Sequence, residues 1–151
     1  MKRLFTMLLL SALLCAAFAG CGSKKNVSYA DGTYTAQSTV YENDDGTEDG
    51  NGYGEVTITI QDNTIVDCTY ASYEVDGTLK AEDYGLQNGE VANRDYYNKA
   101  QKAVAACDEY ASQLVSNGQL DGIDAISGAT INYDHFVEAV EAALAQAETD
   151  E

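Results

Sequence analysis

Residues 56–74 read V-T-I-T-I-Q-D-N-T-I-V-D-C-T-Y-A-S-Y-E and contain the two clearest strands of the chain. In the first half, apolar residues alternate with threonine, which places three of them on one face of a strand: Val56, Ile58 and Ile60. Asp62 and Asn63 form a turn signal, and β-branched and aromatic residues follow it up to Glu74. The pattern predicts an antiparallel hairpin whose second strand has one face made of Val66, Cys68 and Tyr70.

A third strand is predicted upstream of the hairpin. Asp31-Gly32 is a turn signal, and in the stretch that follows it polar residues alternate with Tyr34, Ala36, Ser38 and Val40. We therefore expect an antiparallel sheet of at least three strands, over residues 33–40, 55–61 and 64–73. One face of these strands is polar, so we expect that face to contact solvent and the other to be covered by helices.

Two helices are predicted to cover the sheet, which makes the fold class α+β. The first runs from about residue 95 to residue 116 and ends at Asn117-Gly118. Its apolar stripe consists of Ala100, Ala103, Val104, Cys107, Ala111, Leu114 and Val115. The second helix is the last periodic segment of the chain, where apolar residues recur at helical spacing: Phe136, Val140, Ala143, Leu144 and Ala147.

The residues just before the last helix read D-A-I-S-G-A-T, from Asp124 to Thr130. This location suits an anion, because the first N–H groups of a helix are unpaired and its dipole is positive there. Gly128 has no side chain and Ala129 has only a methyl group, so a large group can approach the Thr130 hydroxyl. We expect Thr130 to lie on a turn just ahead of the helix and to face an anion.

The motif resembles the D-x-x-[S/T]-G-A-T sequence of the FMN-binding domain family, which includes flavin-carrying subunits of the sodium-pumping NADH:quinone oxidoreductase, their Rnf relatives and small exported lipoproteins. The match is complete across the motif and looser from about residue 31 to the C-terminus. The resemblance implies that FMN is joined through its phosphate to the Thr130 oxygen. The recognition turn would then consist of Asp124, Ser127, Gly128 and Ala129. The chain departs from the family at Asn132 and Tyr133, where small hydroxyl residues are expected; we expect Asn132 to act as a helix cap instead.

The same resemblance implies a partner and a role. In the family, a separate flavin transferase attaches FMN, with FAD as donor and Mg²⁺ as its own cofactor. The chain has no nucleophile–base pair, metal-ligand set or nicotinamide motif in its sequence, so redox chemistry would come from the flavin and the protein would be an electron carrier. Such a carrier requires a redox donor and a redox acceptor as further partners, and the motif does not identify either of them. The alternative is a surface lipoprotein without flavin that binds a ligand or partner, with S-G-A-T as a turn and cap.

The N-terminal residues predict export and lipidation. Lys2 and Arg3 precede an apolar run that is shorter than the roughly 20 residues of a membrane-spanning helix. The sequence F-A-G-C ending at Cys21 resembles a bacterial lipoprotein cleavage site. The predicted organisation is a signal peptide over 1–20, an acylated Cys21 with a tether over 21–30, an FMN-binding domain over 31–148 and an acidic tail over 149–151. A lipid anchor would hold the domain at the outer face of the plasma membrane.

The chain of 151 residues is strongly acidic, with a formal net charge of −17. Residues 1–20 hold two of the eight basic residues and none of the 25 acidic ones, so the charge without them is −19. A surface of this sign argues against nucleic acid as a partner, because nucleic acid is also negative. It equally argues against adhesion to anionic lipid.

Two polar segments carry weaker signals. The acidic stretch between Tyr41 and Tyr53 resembles a calcium loop, but with Gly50 at the sixth position Val56 falls where a bidentate glutamate is needed. We predict an acidic hairpin loop there. Residues 76–94 contain no clear regular element, and they either form a wall for the flavin or a solvated connection.

Three further residues have side chains that can be reactive: two cysteines and a histidine. Cys68 and Cys107 both lie on predicted inward faces, where they are either a disulfide or two buried thiols. His135 is the single histidine. No metal-ligand partners lie at the required spacing in the sequence, so we predict a surface or capping role for it.

Overall fold

A computed structural model of the protein describes residues 27–44 and 50–149. In chain order these form β1 (Ser28–Tyr29), β2 (Gly32–Gln37), β3 (Tyr53–Gln61), β4 (Thr64–Tyr73), α1 (Arg94–Asn117), α2 (Thr130–Ala147) and β5 (Glu148–Thr149). The predicted signal peptide, Cys21 and most of the tether lie outside the described residues, as do residues 45–49 of the predicted acidic loop and the last two residues of the tail.

Strands β2, β3 and β4 form an antiparallel sheet in which neighbours along the chain are neighbours in space. The connection between β3 and β4 is the predicted two-residue turn, and Asp62 and Asn63 have φ of 50° and 59°. Two consecutive positive φ angles are the geometry of a tight hairpin turn that matches the strand twist. The α+β class, with a three-stranded antiparallel sheet and two helices, is confirmed.

The second hairpin strand departs from the predicted alternation at one residue. Val66 is 42% exposed, whereas Ile65 and Cys68 are buried. The register explains this, because Thr59-Ile60 pairs with Asp67 and Ile65, which leaves Val66 as an extra residue in β4. A bulge of this kind shifts the strand by one position and reverses which side chains face inward. The prediction that Val66 shares the buried face was therefore wrong.

Strand β2 ends earlier than predicted, at Gln37. The next residue, Ser38, is buried; its N–H donates to the Gly54 carbonyl and its Oγ accepts from the Gly54 N–H, both at 2.9 Å. The side-chain bond takes the place of a further ladder bond between the strands. The chain then leaves the sheet, and Val40, predicted to face inward, is 52% exposed.

Helix α1 is capped at both ends, and it ends at the predicted Asn117-Gly118. The Asn93 side chain accepts from the N–H groups of Asp95 and Tyr96 at the start of α1, both at 3.1 Å. Gly118 follows the last turn of α1 with φ of 69°, and its N–H donates to the Leu114 carbonyl. Within the described residues, no helix has both the length and the apolar character needed to cross a membrane.

The core lies between the two helices and one face of the sheet, with α1 against β4 and α2 against β2 and β3. Phe136 is fully buried at its centre, and its ring centroid is 5.1 Å from that of Tyr70 and 5.4 Å from that of Tyr110. On the other face, hydrogen bonds join threonines across the strands: Thr33 with Thr59 and Thr35 with Thr57. One face is therefore polar, as the alternation predicted.

The two ends of the described chain pair with each other. In an antiparallel ladder β1 meets β5, with Ser28 opposite Thr149 and Tyr29 opposite Glu148. The sequence assigned Ser28 and Tyr29 to the tether and Thr149 to the tail, whereas the structure includes all three in paired strands.

Candidate functional site

The turn that carries the motif leads directly into α2. Gly128 has φ of 87°, a left-handed conformation that glycine adopts without steric cost. Thr130 is the first residue of α2, not a residue of the turn as predicted, and it is exposed. Ala129 precedes the helix without any side-chain cap bond. The first N–H groups of α2 therefore receive no acceptor from the cap residue, and an anion can approach them.

Two tyrosines hold this turn from opposite helices. The hydroxyl of Tyr110, a buried residue of α1, accepts from the Ile126 N–H at 2.8 Å and donates to the Ala129 carbonyl at 3.3 Å. On α2, the Tyr133 hydroxyl donates to the Ile123 carbonyl at 2.8 Å. Because the turn is tied to both helices, the position of the motif depends on the packing of the whole domain.

A cavity of about 220 Å³ lies beside the turn. Three of the predicted site residues line it: Gly128, Ala129 and Thr130. Helix α1 contributes Ala100 and Ala103, and these small side chains leave the space open. The cavity is therefore built where α1 passes the start of α2.

The segment 76–94 closes one side of the cavity. Lys80 is only 6% exposed; its ammonium donates to the Asn51 carbonyl at 2.5 Å and lies 4.8 Å from the centre of the Tyr84 ring. Gln101 on α1 holds the segment by donating to the Tyr84 carbonyl at 2.9 Å. Both Lys80 and Tyr84 line the cavity, so this segment is a wall and not only a solvated connection.

Positive charge is concentrated around this cavity. Residues 27–44 and 50–149 contain four basic side chains, of which Lys80 and Lys99 line the cavity. A third, Lys102, lies beside Gly128: its Nζ is 3.7 Å from the position that a Cβ on Gly128 would occupy. In a chain of net charge −17, cations gathered at one opening favour an anion there.

Comparison with known proteins identifies the family. The sequence model of the FMN-binding domain family matches residues 50–145, which is more than half of the chain and includes every residue of the cavity wall. The chain belongs to the FMN-binding domain family. This membership supports FMN as the cofactor of the domain.

Two solved structures are similar to this FMN-binding domain. The crystal structure of a protein from Clostridium perfringens has a TM-score of 0.56 at 22% identity, over 79% of this chain and 88% of that one. A solution structure of a protein from Clostridium thermocellum has a TM-score of 0.40 at 25% identity, over 80% of this chain and 94% of that one. The similarity to the Clostridium perfringens structure shows a shared fold and nothing about function. None of the curated proteins matches the chain significantly.

The residues present fit the two halves of FMN, a flat ring system and a phosphate. The small apolar side chains of Ala100 and Ala103 and the ring of Tyr84 offer the kind of wall on which a flat aromatic group packs. Beside Gly128, the start of α2 and the ammonium of Lys102 suit a phosphate. The FMN-binding domain therefore has a site with the chemistry that its cofactor requires.

Of the other residues predicted around the motif, Asn132 lines the cavity and two do not. Asp124 and Ser127 are exposed on the turn and are not part of the cavity wall. Asn132, predicted to cap the helix, is instead buried inside its first turn, where Nδ2 donates to the Ala103 carbonyl at 2.8 Å. The cap prediction was wrong because this position of α2 faces α1, and its amide joins the two helices next to the cavity.

Sequence reasoning missed several residues of this site. Tyr110 lies at helical spacing from Cys107 and Leu114 in the apolar stripe of α1, so its burial could have been predicted. Lys99 and Lys102 are three residues apart, which places both on one side of α1. Only the packing of α1 beside the motif shows that this side meets Gly128.

The surface or capping role predicted for His135 was wrong, because the residue is 4% exposed. Neither of its ring nitrogens has a hydrogen-bond partner among the described residues. Burial, and then the charge of Lys80, lower the pKa of His135 below its ordinary value, against the opposing charges of Glu138 and Asp134. The imidazole of the folded domain is therefore neutral at pH 7.

The two cysteines of the described chain are buried free thiols, which decides between the two alternatives left by the sequence. Burial raises the pKa of Cys68 to about 12 and that of Cys107 to about 11. Thiols with such pKa values stay protonated at neutral pH and are poor nucleophiles. Over the described ranges, no three His, Cys, Asp or Glu side chains converge as a metal site requires.

Proposed function

We propose that this domain carries FMN covalently on Thr130 and acts as an electron carrier. The observation that carries the proposal is the position of Thr130, which is exposed at the first turn of α2 and also lines the cavity. When bound, FMN supplies reversible electron transfer, and the protein supplies its position and electrostatic environment.

Attachment requires a reaction at one atom of this chain. With FAD as donor, Thr130 Oγ1 forms a bond to the phosphorus of the FMN half, the pyrophosphate bond breaks, AMP leaves, and the hydroxyl proton passes to solvent. A threonine hydroxyl is a weak nucleophile, so the proposed partner is a flavin transferase with its own Mg²⁺. The exposed side chains of Asp124 and Ser127 are the proposed recognition points for that enzyme.

The location of the carrier is also part of the proposal. An acylated Cys21 would hold the domain at the outer face of the plasma membrane, where a covalent bond prevents loss of the cofactor by diffusion. The supporting observation is the apolar run followed by F-A-G-C in residues 18–21. Wild type should partition into the detergent phase, and Cys21→Ser should be released or remain unprocessed. A protein that remains membrane-bound and unprocessed in both forms would have an uncleaved helical anchor instead.

The attachment site is tested by expression with and without a flavin transferase. The chain alone should be colourless, and the co-expressed chain should become yellow, fluoresce on a denaturing gel and gain the mass of FMN less one water. Thr130→Ala should abolish all three signals with a stability loss of at most about 1 kcal/mol, because an exposed residue of a helix start contributes little more.

Two variants serve as controls. Thr130→Ser keeps the oxygen but loses the methyl group that restricts the side-chain rotamer. This variant should therefore still be labelled with FMN, but more slowly than wild type. Ser127→Ala removes the neighbouring hydroxyl and should still gain the FMN mass on residue 130. If wild type stays unlabelled beside a transferase that labels another D-x-x-[S/T]-G-A-T protein, the covalent carrier is excluded, and a lipoprotein that binds a ligand or partner takes its place.

A further inference from the structure

The basic side chains of this acidic domain are not spread over its surface. Of the four in the described ranges 27–44 and 50–149, Lys80 and Lys99 line the cavity and Lys102 lies beside Gly128, whereas Arg94 is not among the lining residues. It is the first residue of α1, about 12 Å along the helix from Lys102 at 1.5 Å per residue. The domain therefore contains its own comparison between a basic residue at the site and one on the same helix outside it.

Helix α1 holds Lys102 next to the motif. The stem and ammonium of Lys102 pass 3.5 to 3.9 Å from the point where a side chain on Gly128 would begin. The next residue, Ala103, lines the cavity, and its carbonyl accepts the 2.8 Å hydrogen bond from Asn132. This hydrogen bond holds the turn of α1 that contains Lys102 against the first turn of α2, which contains Thr130.

Lys102 and Lys80 have different positions in the site. Lys80 is buried in the inner wall, and its ammonium already contacts the Asn51 carbonyl and the Tyr84 ring. Lys102 is exposed and lies beside Gly128, and Gly128 is two residues before Thr130, whose hydroxyl would carry the phosphate. An ammonium on a flexible stem can follow a phosphate group at that hydroxyl and donate to its oxygens.

We propose that Lys102 recognises the phosphate of the flavin and makes the cavity select FMN over riboflavin, which has the same ring and no phosphate. The proposal rests on the proposed function only for the location of the phosphate, beside Thr130. Lys102 is a specificity-determining residue in this assignment. The start of α2 binds the same phosphate through its N–H groups, and Lys102 supplies the full positive charge that those groups lack.

The test uses the unlabelled mature chain and measures the dissociation constants of FMN and riboflavin by flavin fluorescence. Wild type should bind FMN about tenfold or more tightly than riboflavin, because a hydrogen bond to a charged group strengthens binding by about that factor. Lys102→Gln should lose that preference through weaker FMN binding, with riboflavin binding within about twofold of wild type. The preference of wild type should also shrink as salt is raised from about 20 mM to about 500 mM.

Three comparisons decide the outcome. Arg94→Gln removes the same charge from the same helix and should keep the preference, and Lys102→Arg should keep most of it. Unchanged thermal unfolding of Lys102→Gln shows that the fold is retained, as expected for an exposed residue. A wild type that binds both flavins equally or neither of them, or a Lys102→Gln chain that retains the preference, overturns the assignment. Failure of covalent labelling in the transferase experiment is a separate result, because this test involves no covalent step.

Discussion

The β3–β4 hairpin and the cavity beside Thr130 depend on the chain in opposite ways. The hairpin is one continuous stretch with a two-residue turn, and apart from the bulge at Val66 its buried face follows from alternation along each strand. The cavity joins segments distant in sequence: Gly50, the residues around Lys80, helix α1 and the motif. Substitutions in the hairpin should therefore lower the free energy of unfolding with little direct effect on the cofactor. Substitutions around the cavity should mainly change cofactor attachment and have a smaller effect on stability.

The largest effect is expected within the hairpin, on either side of the bulge. Ile65→Ala removes a buried side chain and should lower the free energy of unfolding by about 2–5 kcal/mol. Val66→Ala changes the adjacent, exposed residue and should stay within about 0.5 kcal/mol of wild type. Urea unfolding of the two variants measures this difference. Equal losses would mean that the strand has no bulge at Val66.

Tyr110→Phe should affect both stability and labelling, because it removes the hydroxyl that holds the motif turn. The Ile126 N–H and the Ala129 carbonyl lose that partner, and the expected stability loss is about 1–3 kcal/mol. Transferase labelling should also slow, since the turn is no longer held from α1. Tyr97→Phe is the matched control: its hydroxyl donates to the Glu82 carbonyl at 3.0 Å, away from the turn. Labelling that slows equally in both variants would contradict a specific role for Tyr110.

Gly128→Ala separates backbone strain from loss of function. With φ of 87°, alanine at this position should cost about 1–2 kcal/mol, and its Cβ would meet Lys102 only at ordinary contact distance. Gly118→Ala also replaces a left-handed glycine, at the end of α1, and should lose similar stability. Only Gly128→Ala should reduce labelling of Thr130. If the two variants are labelled equally well, the backbone shape at Gly128 does not matter to attachment.

The smallest expected effect is the pH dependence of stability that comes from His135. This residue lies where α2 meets β3, and the charge of Lys80 helps to lower its pKa. Its pKa is lowered in the folded domain, so the unfolded chain binds a proton more readily. Its contribution to stability is therefore complete above the unfolded pKa of 6.5 and is lost as pH falls toward the lower folded value. The carboxylates of the chain also titrate in acid, so the histidine must be isolated by comparison.

His135→Phe provides that comparison. The urea midpoint of wild type should fall more than that of the variant between about pH 7.5 and about pH 5.5, because only wild type has an imidazole to protonate. Identical changes in the two proteins would show that folding does not lower the pKa of His135.

The errors of the sequence predictions share a physical cause. Val66, Asn132 and His135 were each assigned from their immediate neighbours in the chain. Their positions in the structure are set by a bulge in the ladder, by the contact between α1 and α2, and by the packing of α2 on the sheet. A local pattern records which side chains are apolar, but it does not record which polar side chain will lie between two packed elements.

What the sequence by itself determined were the features encoded over short distances: the hairpin and its Asp62-Asn63 turn, the ends of α1, the α+β class and the motif before α2. These follow from strand and helix periodicity and from turn residues, all of which act within a few residues. Only the tertiary structure decided that Lys80, Lys99 and Lys102 surround one cavity beside Thr130. That arrangement depends on how α1, α2 and the 76–94 segment pack, and contacts between distant segments are fixed by the burial of their shared core.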